Sequence, residues 1–254
     1  MMWTEQTLER LRQLRLHGMA DALFAEQNYV DRHDLSFEER LALLVDAEWS
    51  NRENRRLSRL LKSAHLKMPD ACWEEIDYAH SRGLEKSLMR SFTTGQWITS
   101  HHHMLITGPT GVGKTYLASA FGNLACRLGH STLYYRASRL LSELGMARGD
   151  GTYPKLLAKL AKVDVLILDD FGLAPLTPTE CHDLLEIIDD RNRLHSTVVA
   201  SQLPIDGWHT ILTDPTIADA ILDRLVHNAY KIKLTGDSMR KIRGVSSTQP
   251  SIEP

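Results

Sequence analysis

Two stretches of this chain hold residues whose types and spacing could do chemistry. In the first, GPTGVGKT at residues 108–115, Gly108, Gly113, Lys114 and Thr115 fit the pattern G-x-x-x-x-G-K-[ST]. Glycines let backbone amides curl around phosphate oxygens where a Cβ would clash. The stretch follows an apolar run and opens a helical pattern, so the positive end of a helix dipole adds to the attraction. Lys114 offers a point charge to the β and γ phosphates, and the Thr115 hydroxyl is a magnesium ligand. The candidate nucleotide-binding residues are therefore Gly108, Pro109, Thr110, Gly111, Val112, Gly113, Lys114, Thr115 and Tyr116, with ATP and Mg2+ as the cofactors.

The second stretch is VDVLILDDFGLAPL, residues 163–176. Its Asp-Phe-Gly is the tripeptide with which protein kinases hold magnesium. A kinase also needs a His-Arg-Asp loop and a Gly-x-Gly-x-x-Gly hairpin, and the sequence has neither. A P-loop ATPase instead needs an acid at the end of a buried strand lying beside the P-loop strand. Asp169, after Val165-Leu166-Ile167-Leu168, meets that need and joins Thr115 as a metal ligand. Asp170 would reach toward the γ phosphate and orient or deprotonate the attacking water; a loop or capping acid is the alternative reading. STVVASQL ends in Ser201 and Gln202, polar residues at the carboxyl edge where open α/β sheets bind ligands. Either of them could position water, or both could be ordinary loop residues. Arg224, in DAILDRL, fits an arginine finger acting on a neighbouring subunit and equally a salt-bridged helix arginine. Arg240, in GDSMRK, is a candidate second phosphate sensor.

These residues must be positioned by strands and helices that alternate. HMLITG, STLYYR, DVLILD, STVVASQ and YKIKLTG read as strands, and DVLILD lacks polar alternation, as a strand buried on both faces does. Helical patterns separate them, one ending at Gly129 and another opening with Thr177, Pro178 and Glu180, a capping box. This order predicts an α/β fold with a doubly wound parallel sheet over 101–243. Residues 1–70 read as a small helical domain: Leu8, Leu11, Met19 and Leu23 recur at helical spacing. Ser36 and Glu39 then form a capping box for a long helix that Pro69 would stop. Residues 71–100 read as a connector with one short helix, and 244–254 as a disordered tail.

Bulk properties exclude several classes. Net charge is −2 over 254 residues, so a nucleic-acid surface must be a local patch. Cys72, Cys126 and Cys181 are few and widely spaced, which suggests neither zinc nor disulfides but free thiols in a reducing compartment. His101, His102 and His103 precede a strand and could hold a metal, but adjacent positions on a strand point to alternate faces and suit chelation poorly. The N-terminus lacks the apolar core of a signal peptide, and no run of about 18 apolar residues spans a membrane. A cytoplasmic protein is expected. One local patch does stand out. Arg52, Arg55, Arg56, Arg59 and Lys62, followed by Lys67, are opposed only by Glu53, and the four arginines share a helix face. Such a stripe suits phosphate backbones, a solvated face or an acidic partner.

Taken together, GPTGVGKT, LILDDFG, VVASQLP, DAILDRLVH and GDSMRK resemble the IstB-like transposition helper ATPases of bacterial insertion sequences, relatives of the DnaC helicase loaders within AAA+. RENRRLSRLLKSAHLK resembles their N-terminal region. The resemblance implies a P-loop AAA+ domain behind a small helical domain. Lys114 and Thr115 then match Walker A, Asp169 and Asp170 Walker B, Gln202 sensor I, Arg224 the arginine finger and Arg240 sensor II. Gln202 departs from the asparagine that relatives often carry. The chain ends soon after Arg240, so lid closure is expected from a neighbouring subunit. The resemblance also implies Mg2+-dependent, slow ATP hydrolysis and ATP-dependent self-assembly on duplex DNA. Recruitment of a transposase is implied too, with the basic stripe as the DNA contact. The alternative is a helicase loader. A small-molecule P-loop kinase and a scaffold that barely hydrolyses ATP are further readings.

Overall fold

Apolar runs without polar alternation form the centre of a five-stranded sheet: β1 (His103–Thr107), β2 (Thr132–Arg136), β3 (Val165–Phe171), β4 (Ser196–Ser201) and β5 (Ala229–Lys233). This computed structural model describes residues 5–26, 35–78 and 82–239. Arg240 and the tail 244–254 lie outside the described residues.

All strand pairs are parallel, in the order β2-β3-β4-β1-β5. One expectation is corrected here. The acid-bearing strand β3 does not lie beside the P-loop strand β1, because β4 pairs with both and separates them. The chain leaves β1 through α6 (Lys114–Arg127), starts again at the sheet edge with β2, and works back inward. The last strand to arrive before β5 takes the place at β1. The acids still reach the site, because parallel strands all present their carboxyl ends at one edge.

Between the strands run α7 (Ala137–Asp150), α8 (Tyr153–Lys162), α9 (Pro178–Arg191) and α10 (Pro215–His227). Leu166, Leu168 and Val199 bury one face of the sheet against Leu140, Leu184 and Ile221 of these helices. On the other face α6 packs across β2, β3 and β4. The capping box at Thr177 forms as the spacing requires: the Glu180 amide donates to Thr177 Oγ1 at 3.3 Å, and the Thr177 amide to Glu180 at 2.8 Å.

The chain divides into two compact units, Met1–Arg59 and Leu60–Pro254. The first holds α1 (Glu5–Gln13), α2 (His17–Glu26) and most of α3 (Phe37–Ala64), a helix of 28 residues that opens with the Ser36–Glu39 capping box. α3 ends five residues before Pro69, at His65 with φ of 51°. The reason is burial: Leu66 turns into the core of the second unit. Residues 71–100, expected as a connector, are part of that unit too. Around α4 (Lys86–Phe92) and α5 (Gln96–Thr99), Trp73, Phe92 and Trp97 set their rings 4.9, 5.5 and 5.4 Å from Phe121 of α6.

The histidine run is divided in its work. His103 is buried and its Nδ1 accepts the Thr197 amide at 3.1 Å, while His102 packs on Tyr230. Among the described residues no three His, Cys, Asp or Glu side chains cluster as metal ligands, and Cys72, Cys126 and Cys181 are free. No described helix is long and apolar enough to cross a membrane.

Candidate functional site

The loop between β1 and α6 turns on glycines with positive φ: 151° at Gly108, 89° at Gly111 and 100° at Gly113. Space as well as backbone angle excludes side chains. A Cβ on Gly108 would sit 2.4 Å from the Leu234 carbonyl oxygen, and one on Gly113 2.9 Å from an Arg82 nitrogen. Val112 is fully buried and pins the loop. Lys114, 7% exposed, folds back so that Nζ donates to the Pro109 carbonyl at 2.8 Å. Burial lowers its pKa, and the charges of Asp169 and Asp170 pull it back up.

The two aspartates reach one site through a β-bulge. β3 and β4 pair in step up to Leu168 opposite Val199, and then Phe171 stands opposite Ser201. Two residues of β3 thus face one of β4. Adjacent residues on a regular strand point to opposite faces. The extra residue, with Asp170 at φ 55°, re-aims its side chain. Aspartate tolerates this left-handed region better than most residues.

Asp169 is 1% exposed. Its Oδ2 accepts the Tyr134 hydroxyl at 2.6 Å, and its Oδ1 is buried with no hydrogen-bond partner. The carboxylate pushes the Tyr134 pKa further up, beyond the effect of burial. A buried carboxylate oxygen without a partner, close enough to Lys114 to shift its pKa, suits a divalent cation, so the residues present fit Mg2+. Asp170 lines the cleft and pairs with Arg136, whose Nε and Nη2 both lie 3.1 Å from Oδ2.

Gln202 and Ser201 separate cleanly. Gln202 lines the cleft and its Oε1 accepts Thr110 Oγ1 at 2.8 Å. Ser201 is buried and occupied elsewhere, donating to the Phe171 carbonyl at 2.7 Å and accepting the Leu203 amide. The cleft encloses about 190 Å3 and gathers Thr110, Gly111, Gly113, Lys114, Thr115, Tyr116, Asp170 and Gln202. It is also lined by Met68, Glu75, Asp77, Arg82 and Met239, none of them named above as a site residue. The Tyr116 hydroxyl donates to the Cys72 carbonyl at 3.2 Å, fixing the former connector to α6.

Arg224 is not at this cleft. It lies on α10, with Nε donating to Asp189 of α9 and Nη1 to the Ala220 carbonyl. Arg240 lies outside the described residues. Arg52, Arg55, Arg56, Arg59 and Lys62 are exposed on α3, and Arg52 is ion-paired to Glu48 at 2.7 Å. Sequence reasoning missed Tyr134 and Arg136. The rule that polar residues at strand carboxyl ends serve the ligand would have found Arg136 on β2. Arg82 and Met68 carry no such signal.

The sequence profile described as IstB-like ATP binding protein matches residues 9–247. The insertion sequence ATP-binding protein y4pL of Sinorhizobium fredii is 46% identical over 240 residues, covering 94% of this chain and 98% of the relative. The ATP-binding protein of insertion sequence IS1162 from Pseudomonas fluorescens is 52% identical over 203 residues, covering 80% and 88%. Among solved structures, the DnaC helicase loader superposes with a TM-score of 0.50 at 19% identity, covering 65% of this chain and 97% of that one. That likeness concerns the fold alone.

Proposed function

The chain belongs to the family of IstB-like ATP-binding proteins of insertion sequences, and from that premise we propose that it is an ATP-hydrolysing transposition helper. In this reading it assembles with copies of itself on duplex target DNA and recruits and stimulates its transposase in the bacterial cytoplasm. The observation that carries the reading is the cleft. The P-loop lysine and Asp170 line it, and Asp169, buried with an orphaned oxygen, lies close enough for its charge to act on that lysine.

Each residue then has a task. Lys114 leaves the Pro109 carbonyl and neutralises phosphate charge. Asp169 and Thr115 hold Mg2+, which supplies charge neutralisation at the phosphate oxygens. Asp170 orients a water and accepts its proton. Gln202, 2.8 Å from the P-loop hydroxyl of Thr110, senses the γ phosphate. Arg224 acts on the cleft of a neighbouring copy, and Arg240 serves as a second sensor. The N-terminal helical domain contributes Arg52, Arg55, Arg56, Arg59 and Lys62 to the DNA backbone, a sequence-tolerant and salt-sensitive contact. Asp170 stands where a glutamate would reach one methylene further, which fits slow turnover. The helicase-loader alternative draws support from fold likeness only, whereas insertion-sequence relatives match nearly end to end.

Particle size on duplex DNA tests the proposal. With ATP the protein is expected to form a large DNA-bound assembly that ADP does not support and that Lys114→Ala abolishes. The same size with ATP and ADP, or no binding to duplex at low salt, would sink the reading.

A further inference from the structure

Arg82 belongs to the segment that read as a connector, yet it is 7% exposed and lines the nucleotide cleft. Its guanidinium is held by backbone alone. Nη1 donates to the Val112 carbonyl at 3.2 Å and Nη2 to the Asp77 carbonyl, while Nε is buried with no partner. No carboxylate pairs with it among the described residues. A buried cation without an anion is costly, and an orphaned buried donor adds to the cost. The loop makes room for this group: Gly113 adopts φ of 100°, and a Cβ there would lie 2.9 Å from Nη1. Arg82 also ties the loop to the segment after β5, since its carbonyl accepts the Thr235 amide at 3.0 Å.

We infer that Arg82 is a nucleotide-contacting residue that supplies positive charge to the phosphates shared by ADP and ATP. Its Nη1 meets the loop at Val112 and Gly113, immediately before Lys114, and no described hydrogen bond joins it to Asp170 or Gln202, the groups assigned above to the γ phosphate. An incoming phosphate chain provides the negative charge that the fold leaves out, and Nε provides a ready donor. Part of the nucleotide site is thus delivered by residues outside the P-loop motif. The inference rests on the reading of this cleft as the ATP site.

The test is calorimetric titration of the full chain with ADP and with ATP. Arg82→Gln is expected to weaken both nucleotides alike, roughly ten- to hundred-fold, the range for a hydrogen bond to a charged group. Arg82→Lys, which keeps the charge, is expected to recover part of the loss. Arg82→Met removes the charge but keeps the length, and carries the same expectation as Arg82→Gln should the latter fail to fold. Unchanged ADP affinity in the charge-free variants overturns the inference, and so does a loss confined to ATP. A loss that Lys does not lessen points to packing and also overturns it. If the unaltered chain binds neither nucleotide, the reading of the cleft itself has failed; if it binds both and the variants bind equally, only the assignment of Arg82 has.

Discussion

Asp169 and Asp170 are neighbours with different surroundings, and surroundings decide what a carboxylate does. Asp169 is buried against Tyr134 with one oxygen unpartnered; Asp170 faces the cleft and Arg136. Asp170→Asn is expected to leave ATP affinity intact and slow hydrolysis by about 10²-fold or more, through loss of the general base. Single-turnover assays check it, and unchanged turnover would make Asp170 structural. Tyr134→Phe removes the hydroxyl that orients Asp169 and is expected to raise the Mg2+ concentration needed for half-maximal hydrolysis by roughly ten-fold. An unchanged magnesium titration would show that the hydroxyl does not tune the metal site. A third residue, His103, contributes to acid stability. Burial, with the charges of Arg191 and His102, lowers the His103 pKa to about 4. Between pH 6.5 and 4 the unfolded chain therefore binds a proton that the folded chain refuses. The contribution of neutral His103 is complete above about pH 6.5 and is lost as pH falls toward 4, in total about 3 kcal/mol. Urea midpoints from pH 7 to pH 4.5 are expected to fall more steeply for the unaltered chain than for His103→Asn. Parallel slopes would show that another group governs the acid limb.

At the scale of elements, the bulge in β3 and the capping of helices are local devices with distant effects. The bulge breaks the alternation of faces that adjacent residues follow on a regular strand and re-aims Asp170 into the cleft. In the first unit, α2 starts without a capping side chain of its own in the described structure; Glu48 of α3 supplies it. Glu48 Oε2 accepts the Gly18 amide at 2.7 Å and the Met19 amide at 3.3 Å, while Oε1 holds Arg52. Glu48→Ala is expected to cost about 1 kcal/mol at this helix start, the usual value of a cap. Hydrogen exchange at the Gly18 amide should then quicken about five-fold. An unaltered exchange rate would mean that the cap contributes nothing to α2. Glu48 also pairs with Arg52, so a phosphate contact by Arg52 competes with this ion pair.

For the molecule as a whole, the decisive matter is that Arg224 does not line its own chain's cleft. It is held by Asp189 and by the turn that precedes it. Under the proposed function, an arginine held here would act on the cleft of another copy, whereas a purely structural arginine would serve the α9–α10 contact through Asp189. Arg224→Ala alone and Asp170→Asn alone are both expected to hydrolyse ATP slowly. Mixing the two is expected to restore part of the activity, because an intact finger then meets an intact base in some interfaces. Activity that equals the sum of the two at every mixing ratio would exclude action across subunits.

The sequence by itself determined the P-loop, the acid pair, the capping boxes and the alternation of strand and helix, because each is written in residues close along the chain. Glycine spacing, an apolar run and a cap depend on neighbours within a turn or two. Tertiary structure alone decided the strand order, in which β4 separates β3 from β1. It alone brought Arg82 and Met68 to the cleft and placed Gln202, not Ser201, on its wall. Arg191 makes the point most plainly. It reads as a surface arginine at the end of a helix, yet it is fully buried, with its pKa lowered to about 9 by burial. Its guanidinium donates to the carbonyls of Leu160 and Val163, at the end of α8, and of Ser196, at the start of β4. A hydrogen bond needs proximity in space, and residues distant in sequence acquire it only when the sheet has assembled.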